Sequence, residues 1–143
     1  MNDRRQPDSE IVLARDLKKH FASGAAIVKA VDEVSFTLPR RTILALQGPS
    51  GCGKSTLLNL IGALDRPDSG ELTVGGMSVV HLNGSREAAY RREKVGFVFQ
   101  QFNLLPQLSA IENVTLPMEL AGTSPNGRAA DLLDRVGLAD CRA

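Results

Sequence analysis

The chain has 143 residues, 43% hydrophobic and 23% charged, a composition that supports one domain with its own apolar core and excludes disorder as its main state. Its 17 Lys and Arg against 16 Asp and Glu leave a formal charge of +1, so no long-range field draws in nucleic acid or anionic lipid, and an anionic ligand must be held locally. The longest nearly apolar stretch, Leu57–Leu64, falls far short of the roughly 20 residues of a membrane-crossing helix.

Met1–Glu10 is polar and mixed in charge, has no apolar segment of the kind a secretory signal needs, and reads as a disordered tail ahead of a domain over 11–143. Cys52 and Cys141 stand far apart without a CxxC pair or a neighbouring histidine, so neither a disulfide framework nor a zinc site is indicated and a reducing compartment fits. Over Val31–Leu38, Val34, Phe36 and Leu38 alternate with Ser35 and Thr37, the period of a strand with one buried face, and Pro39 closes it. Thr42–Gln47 is almost wholly apolar, as a central strand buried on both faces would be. Ser55–Leu64 carries Leu57, Leu58, Leu60, Ile61 and Leu64 at helical spacing.

After the turn formers of Asp65–Gly70, Glu71–Val74 and Met77–Leu82 read as antiparallel strands joined through Gly75 and Gly76. Ser85–Lys94 is a polar surface helix, with Arg91, Arg92 and Lys94 interleaved with acids on a solvated face, and Val95–Phe99 returns to a buried strand. Ser109 with Glu112 has the capping-box pattern, and Arg128–Val136 places Leu132, Leu133 and Val136 on one helical face. Strands alternating with helices give an α/β domain.

Between the strand expected at Thr42–Gln47 and the helix that follows lies Gly48-Pro49-Ser50-Gly51-Cys52-Gly53-Lys54-Ser55-Thr56, which satisfies the phosphate-loop pattern. Glycines let successive amide hydrogens turn inward as an anion-binding concavity, and the missing Cβ atoms let phosphates approach closely. The helix N-terminus adds about half a positive charge, Lys54 a full one aimed at the terminal phosphates, Ser55 a hydroxyl for Mg²⁺, and Thr56 a further donor. Ordinary residue usage yields such a match on the order of once per few hundred chains of this length, and the strand and helix around it make chance a weak explanation. Cys52, inside the loop, reads as a tolerated variable position, while Lys18, Lys19 and His20 read as surface residues and His81 as a strand edge.

Gly48–Thr56, Leu57-Leu-Asn-Leu-Ile-Gly62, Pro67-Asp-Ser-Gly70 and Gly96-Phe-Val-Phe-Gln-Gln-Phe-Asn-Leu-Leu-Pro106 together resemble the ATP-binding subunits of ATP-binding-cassette (ABC) transporters, in the branch serving lipoprotein release and macrolide export. The resemblance covers nearly the whole chain and implies a phosphate-loop NTPase core of RecA-like type, with an antiparallel β-subdomain and the start of a helical subdomain. It implies ATP and Mg²⁺ as ligands, a membrane-spanning permease as partner, a homodimer for the complete protein, no nucleic acid, and a place on the inner face of the cell membrane. It makes Gln100 the residue that senses the terminal phosphate through Mg²⁺ or the attacking water, and Phe21 the aromatic that stacks on adenine.

Members of that family continue with a Leu-Ser-Gly-Gly-Gln signature, an acidic strand motif and a later histidine, none of which occurs within these 143 residues. Asp65 and Asp134 do not stand in, since neither follows a run of apolar strand residues. Phosphoryl transfer to water needs a positioned nucleophile as well as a phosphate cradle, so these residues alone are expected to bind rather than hydrolyse. The resemblance also pairs the acidic strand beside Thr42–Gln47, so the sheet is expected to be incomplete here and the chain by itself marginally folded. Three readings stay open: part of a transport ATPase, a nucleotide-binding module without turnover, or a truncated product. A small-molecule kinase fits less well, because the loop of such an enzyme usually lies near the chain start and here 47 residues precede it.

Overall fold

The computed structural model describes residues 10–141, so the tail expected over 1–10 lies outside the described residues except for Glu10, which begins a strand. The chain divides into two units, one ending at Gly96 and one starting at Phe97. The first contains strands β1 (Glu10–Ser23), β2 (Ala26–Pro39), β3 (Ser69–Val74) and β4 (Met77–Ser78) with helices α1 (Lys54–Ile61) and α2 (Gly84–Lys94). The second contains α3 (Ala110–Leu120), α4 (Arg128–Arg135) and a short 3₁₀ turn, Ala139–Cys141.

The four strands form one antiparallel sheet in the order β2-β1-β3-β4. β1 and β2 make a long hairpin across Gly24–Ala25, closing with Ser23 opposite Ala26. The alternation read at Val34, Phe36 and Leu38 is present, all three packing against the core while Ser35 and Thr37 face out, and the strand ends at Pro39 as expected. β2 starts earlier than the pattern suggested, and β1 carried no sequence signal strong enough to predict it.

One reason lies at Asp16. Val12 and Ala14 are buried in phase, but the next buried residue is Leu17, because the register shifts between Ala14 and Leu17 and Asp16 takes a φ of 46°. A residue inserted into one strand breaks period two and bends the ladder. Ser35 holds the irregularity: its Oγ accepts from the Asp16 N–H at 2.8 Å and donates to Asp16 Oδ1 at 3.2 Å. On the other side, a Cβ at Gly70 would lie 2.5 Å from the Asp16 carbonyl oxygen, so β3 can pass the bend only with glycine there.

The core lies between this sheet and α1. Val12, Ala14, Leu17 and Val31 of the hairpin pack with Leu57 and Leu60 of α1, Leu72 and Val74 of β3, and Tyr90 of α2. Tyr90 is 2% exposed, and its hydroxyl donates to the Ile61 carbonyl at 2.6 Å, which satisfies both the phenol and an end carbonyl of α1. Arg91, read as solvated, instead donates through Nη1 to the Ala63 carbonyl at 2.7 Å, and Arg66 pairs through Nε with Glu87 Oε1 at 2.9 Å. Two side chains of α2 and one ion pair therefore tie it to the end of α1.

Two expected strands are not formed. Residues 42–47 lie outside any strand, with Ile43 96% exposed, and residues 95–99 likewise, with Val98 fully exposed. A strand buried on both faces takes hydrogen bonds from a neighbour on each side, and among the described residues no strand pairs with either segment. Only Leu46 and Val95 still pack on the core. Sidedness survives at Phe97 and Phe99, whose rings stack at 5.4 Å between centroids. The hairpin expected at Glu71–Leu82 is present but its second strand is two residues long, after which Val79 and Leu82 turn inward.

In the second unit α3 begins at the expected capping box: the Glu112 N–H donates to Ser109 Oγ, and the Ser109 N–H donates to Glu112 Oε2 at 2.7 Å. Asn113 clamps the preceding turn, accepting from the Leu105 N–H at 2.8 Å and donating to the carbonyls of Leu105, Leu108 and Ser109 at 3.0–3.1 Å. On α4 Leu133 is buried, but Val136, expected on the same face, is 69% exposed because the helix ends at Arg135.

Candidate functional site

The glycine loop is seated on the β hairpin. α1 starts at Lys54 with Gly53 as its N-cap residue, and the Gly53 carbonyl accepts its first helical bond from the Leu57 N–H at 2.9 Å. Gly53 has φ 90°, and a Cβ there would lie 1.9 Å from the Ala30 carbonyl oxygen of β2, so the loop can rest against the strand only because this residue is glycine. Gly51, also at positive φ, faces open space.

The N-terminus of α1 has no side-chain cap and no acidic residue in its first turn. The amides of Lys54, Ser55 and Thr56 are therefore among those that a helix leaves without internal partners, and the helix dipole adds to their pull on an anion. Lys54 bends back across the loop, its ammonium donating to the Gly48 carbonyl at 2.9 Å and the Pro49 carbonyl at 2.7 Å, with Cys52 Sγ at 3.5 Å. The Cys52 N–H donates to the Pro49 carbonyl at 3.4 Å, closing the turn of Gly48–Cys52. Ser55 is exposed and Thr56 half-buried, while Ser50 and Gly51 stand at the open side of the loop. The loop thus sets the Lys54 ammonium beside an uncapped helix N-terminus and the exposed Ser55 hydroxyl, a set of donors suited to a polyanion.

Phe21 lies near the tip of the hairpin, 41% exposed and paired with Val28, two positions along β2 from the Ala30 carbonyl that abuts Gly53. The topology thus brings an exposed aromatic to the strand that carries the loop. Lys19, read as a surface residue, is a correction: its side chain is 13% exposed, it donates to Asp65 Oδ1 at 2.8 Å and the Arg66 carbonyl at 2.7 Å, and its ammonium lies 5.2 Å from the centre of the Phe21 ring. His20 is also tied down, its N–H donating to Asp68 Oδ2 at 2.6 Å and Nε2 lying 2.9 Å from Asp32 Oδ1. Lys29 and His20 together hold the Asp32 carboxyl below the usual carboxylate range. No local pattern signals these partners: Asp65, Arg66 and Asp68 come from the turn after α1, and Asp32 from β2.

Gln100 lies in the second unit, exposed, in the irregular segment after Phe99, and Gln101 beside it is exposed too. Among the described residues no cluster of three or more His, Cys, Asp or Glu side chains is disposed to hold a metal ion, and no helix is long and apolar enough to cross a membrane.

The chain is similar to known proteins. An uncharacterized ABC transporter ATP-binding protein of Mycobacterium tuberculosis is 41% identical over 139 residues, which is 95% of this chain and 55% of that protein. The macrolide export ATP-binding/permease protein MacB of Rhodopseudomonas palustris is 44% identical over 135 residues, 92% of this chain and 20% of its own length. Among solved structures, the dimeric ATP-binding cassette MJ0796, in a post-hydrolysis state bound to ADP and Pi, superposes with a TM-score of 0.71 at 36% identity over 86% of this chain and 54% of that one. The chain thus spans about half the length of the Mycobacterium relative and of the solved cassette. The α/β fold with its incomplete sheet is that of the ABC ATPase cassettes. Since the family described as ABC transporter matches residues 31–143, from within β2 onward, the chain belongs to the ABC transporter family.

Proposed function

We propose that this chain holds Mg-ATP as part of the ATP-binding subunit of an ABC transporter, one that dimerises and acts on a membrane-spanning permease at the inner face of the membrane to drive export or lipoprotein release. The observation that carries the reading is Lys54. Its ammonium is retained by two loop carbonyls beside a helix N-terminus that has no side-chain cap and no acidic residue in its first turn, which supports binding of an anion there.

In this reading Gly48, Pro49, Ser50, Gly51, Cys52 and Gly53 wrap the phosphates with backbone amides, Lys54 turns from the loop carbonyls to the terminal phosphates, and Thr56 adds a donor. Phe21 stacks on adenine. Mg²⁺ suits the donor set: Ser55 offers one hard, exposed oxygen, and this ion binds through few protein ligands together with substrate phosphates rather than through a carboxylate cage. When bound it neutralises phosphate charge. Gln100, exposed and able both to donate and to accept, orients the attacking water or completes the ion's ligands.

Mg-ATP at 100 times its dissociation constant is expected to stabilise the folded state by about 2.7 kcal/mol, read as a rise in melting temperature. Lys54→Ala is expected to abolish that rise, and Ser55→Ala to remove its dependence on Mg²⁺. A parent protein whose melting is indifferent to Mg-ATP overturns the reading.

A further inference from the structure

We propose that Lys19 is the positioning residue for the base-stacking aromatic, locking Phe21 to the far end of the phosphate-binding helix so that base and phosphates are read by one rigid frame. The inference rests on the proposed ATP site and deepens it. Lys19 is drawn in two directions. Its ammonium bonds Asp65 Oδ1 at 2.8 Å and the Arg66 carbonyl at 2.7 Å, and approaches Asp68 at 3.9 Å. The same ammonium lies 5.2 Å from the Phe21 ring centre, within the range of about 6 Å at which a cation is attracted to a ring face.

Residues 65–68 are anchored to α1, since the Leu64 N–H donates to the Asn59 carbonyl at 2.8 Å and Asp65 N–H to the same oxygen at 3.3 Å. They are anchored to β1 as well, by the Asp68 N–H donating to the Lys18 carbonyl at 2.8 Å and by the His20 N–H donating to Asp68 Oδ2. Lys19 is therefore the side chain through which the helix that opens at the glycine loop reaches the aromatic.

The Lys19 ammonium lies over the Phe21 ring while the residue stays 41% exposed, so part of the side chain is left open to a base. Phenylalanine lacks a hydroxyl to fix its orientation, and the ammonium supplies the missing constraint. Holding the ring in the stacking pose before the base arrives lowers the ordering cost of binding.

The test compares two ligands on the full-length protein: Mg-ATP, which has a base, and inorganic tripolyphosphate, which has only the phosphates. Phe21→Ala is expected to weaken ATP about tenfold and leave tripolyphosphate unchanged. Lys19→Met is expected to weaken ATP about threefold with tripolyphosphate again unchanged, Lys19→Arg to restore most of the loss, and the Lys19→Met, Phe21→Ala double variant to bind ATP no worse than Phe21→Ala alone. If Lys19→Met leaves ATP binding intact while Phe21→Ala weakens it, the positioning role is overturned and the stacking role stands. Equal losses for both ligands make Lys19 a merely structural residue, which also overturns it. If Phe21→Ala changes neither ligand, the stacking role fails and takes the Lys19 role with it, while loss of all binding in Lys54→Ala would still uphold the phosphate site.

Discussion

Gly53→Ala tests whether contact with the hairpin, rather than loop flexibility, seats the phosphate loop. Two costs add. An L-residue at φ 90° pays about 1–2 kcal/mol for its backbone conformation. The new Cβ, 1.9 Å from the Ala30 carbonyl oxygen, meets backbone that no rotamer change can move aside, and such overpacking costs about 1–3 kcal/mol. Gly51→Ala is the matched control, because Gly51 has φ 80° but nothing within 4 Å of its added Cβ. The control carries only the conformational cost, so Gly53→Ala should be less stable than Gly51→Ala by about 1–3 kcal/mol, a gap in melting temperature of roughly 4–10 °C for a domain of this size. Differential scanning calorimetry on the full-length protein measures the gap, and Mg-ATP titration should show the Gly53 variant binding more weakly as its loop lifts from β2. Equal melting of the two variants would refute the seating contact.

The sequence has a single tyrosine and no tryptophan, so tyrosinate absorbance reports Tyr90 alone. Burial raises its pKa from 10.0 to about 12, so its contribution to stability is complete below the unfolded value and is lost as pH climbs through about 12; an alkaline titration should show no tyrosinate near pH 10 until denaturant is added. Tyr90→Phe leaves the Ile61 carbonyl without the 2.6 Å bond and should cost about 1–2 kcal/mol in chemical denaturation. Bonds from the Ser109 backbone and hydroxyl hold the Glu112 carboxyl below its usual range, so the cap is complete above the unfolded glutamate pKa and is lost as pH falls through the lower, folded value. Ser109→Ala should cost about 1 kcal/mol and speed amide exchange in the first turn of α3. Asn113→Ala removes four bonds to residues 105–109 and should open that turn to limited proteolysis without changing the exchange protection of the sheet.

The local structure around the glycine loop was legible because its signals are close together in sequence. Glycine spacing, Lys54 and the helical period that follows sit within a dozen residues, and the helix they imply is present, starting at Lys54. Ser109 and Glu112 were legible for the same reason, three residues being one helical turn. The antiparallel turn at Gly75–Gly76 and the alternation of β2 belong to the same class of signal. So does the family resemblance, carried by contiguous segments and matched by residues 31–143.

What only the tertiary structure decided is everything whose second partner lies far along the chain. β1 escaped notice because the insertion at Asp16 breaks its alternation, and the groups that stabilise the break, Ser35 and Gly70, come from two other strands. Lys19 looked like a surface lysine until the turn after α1 supplied Asp65, and Arg91 looked solvated until Ala63 offered a carbonyl. Conversely, Thr42–Gln47 has the composition of a central strand and forms none. An apolar run states only that a segment suits burial, whereas a strand exists through hydrogen bonds to neighbours, and those are a property of the assembled sheet.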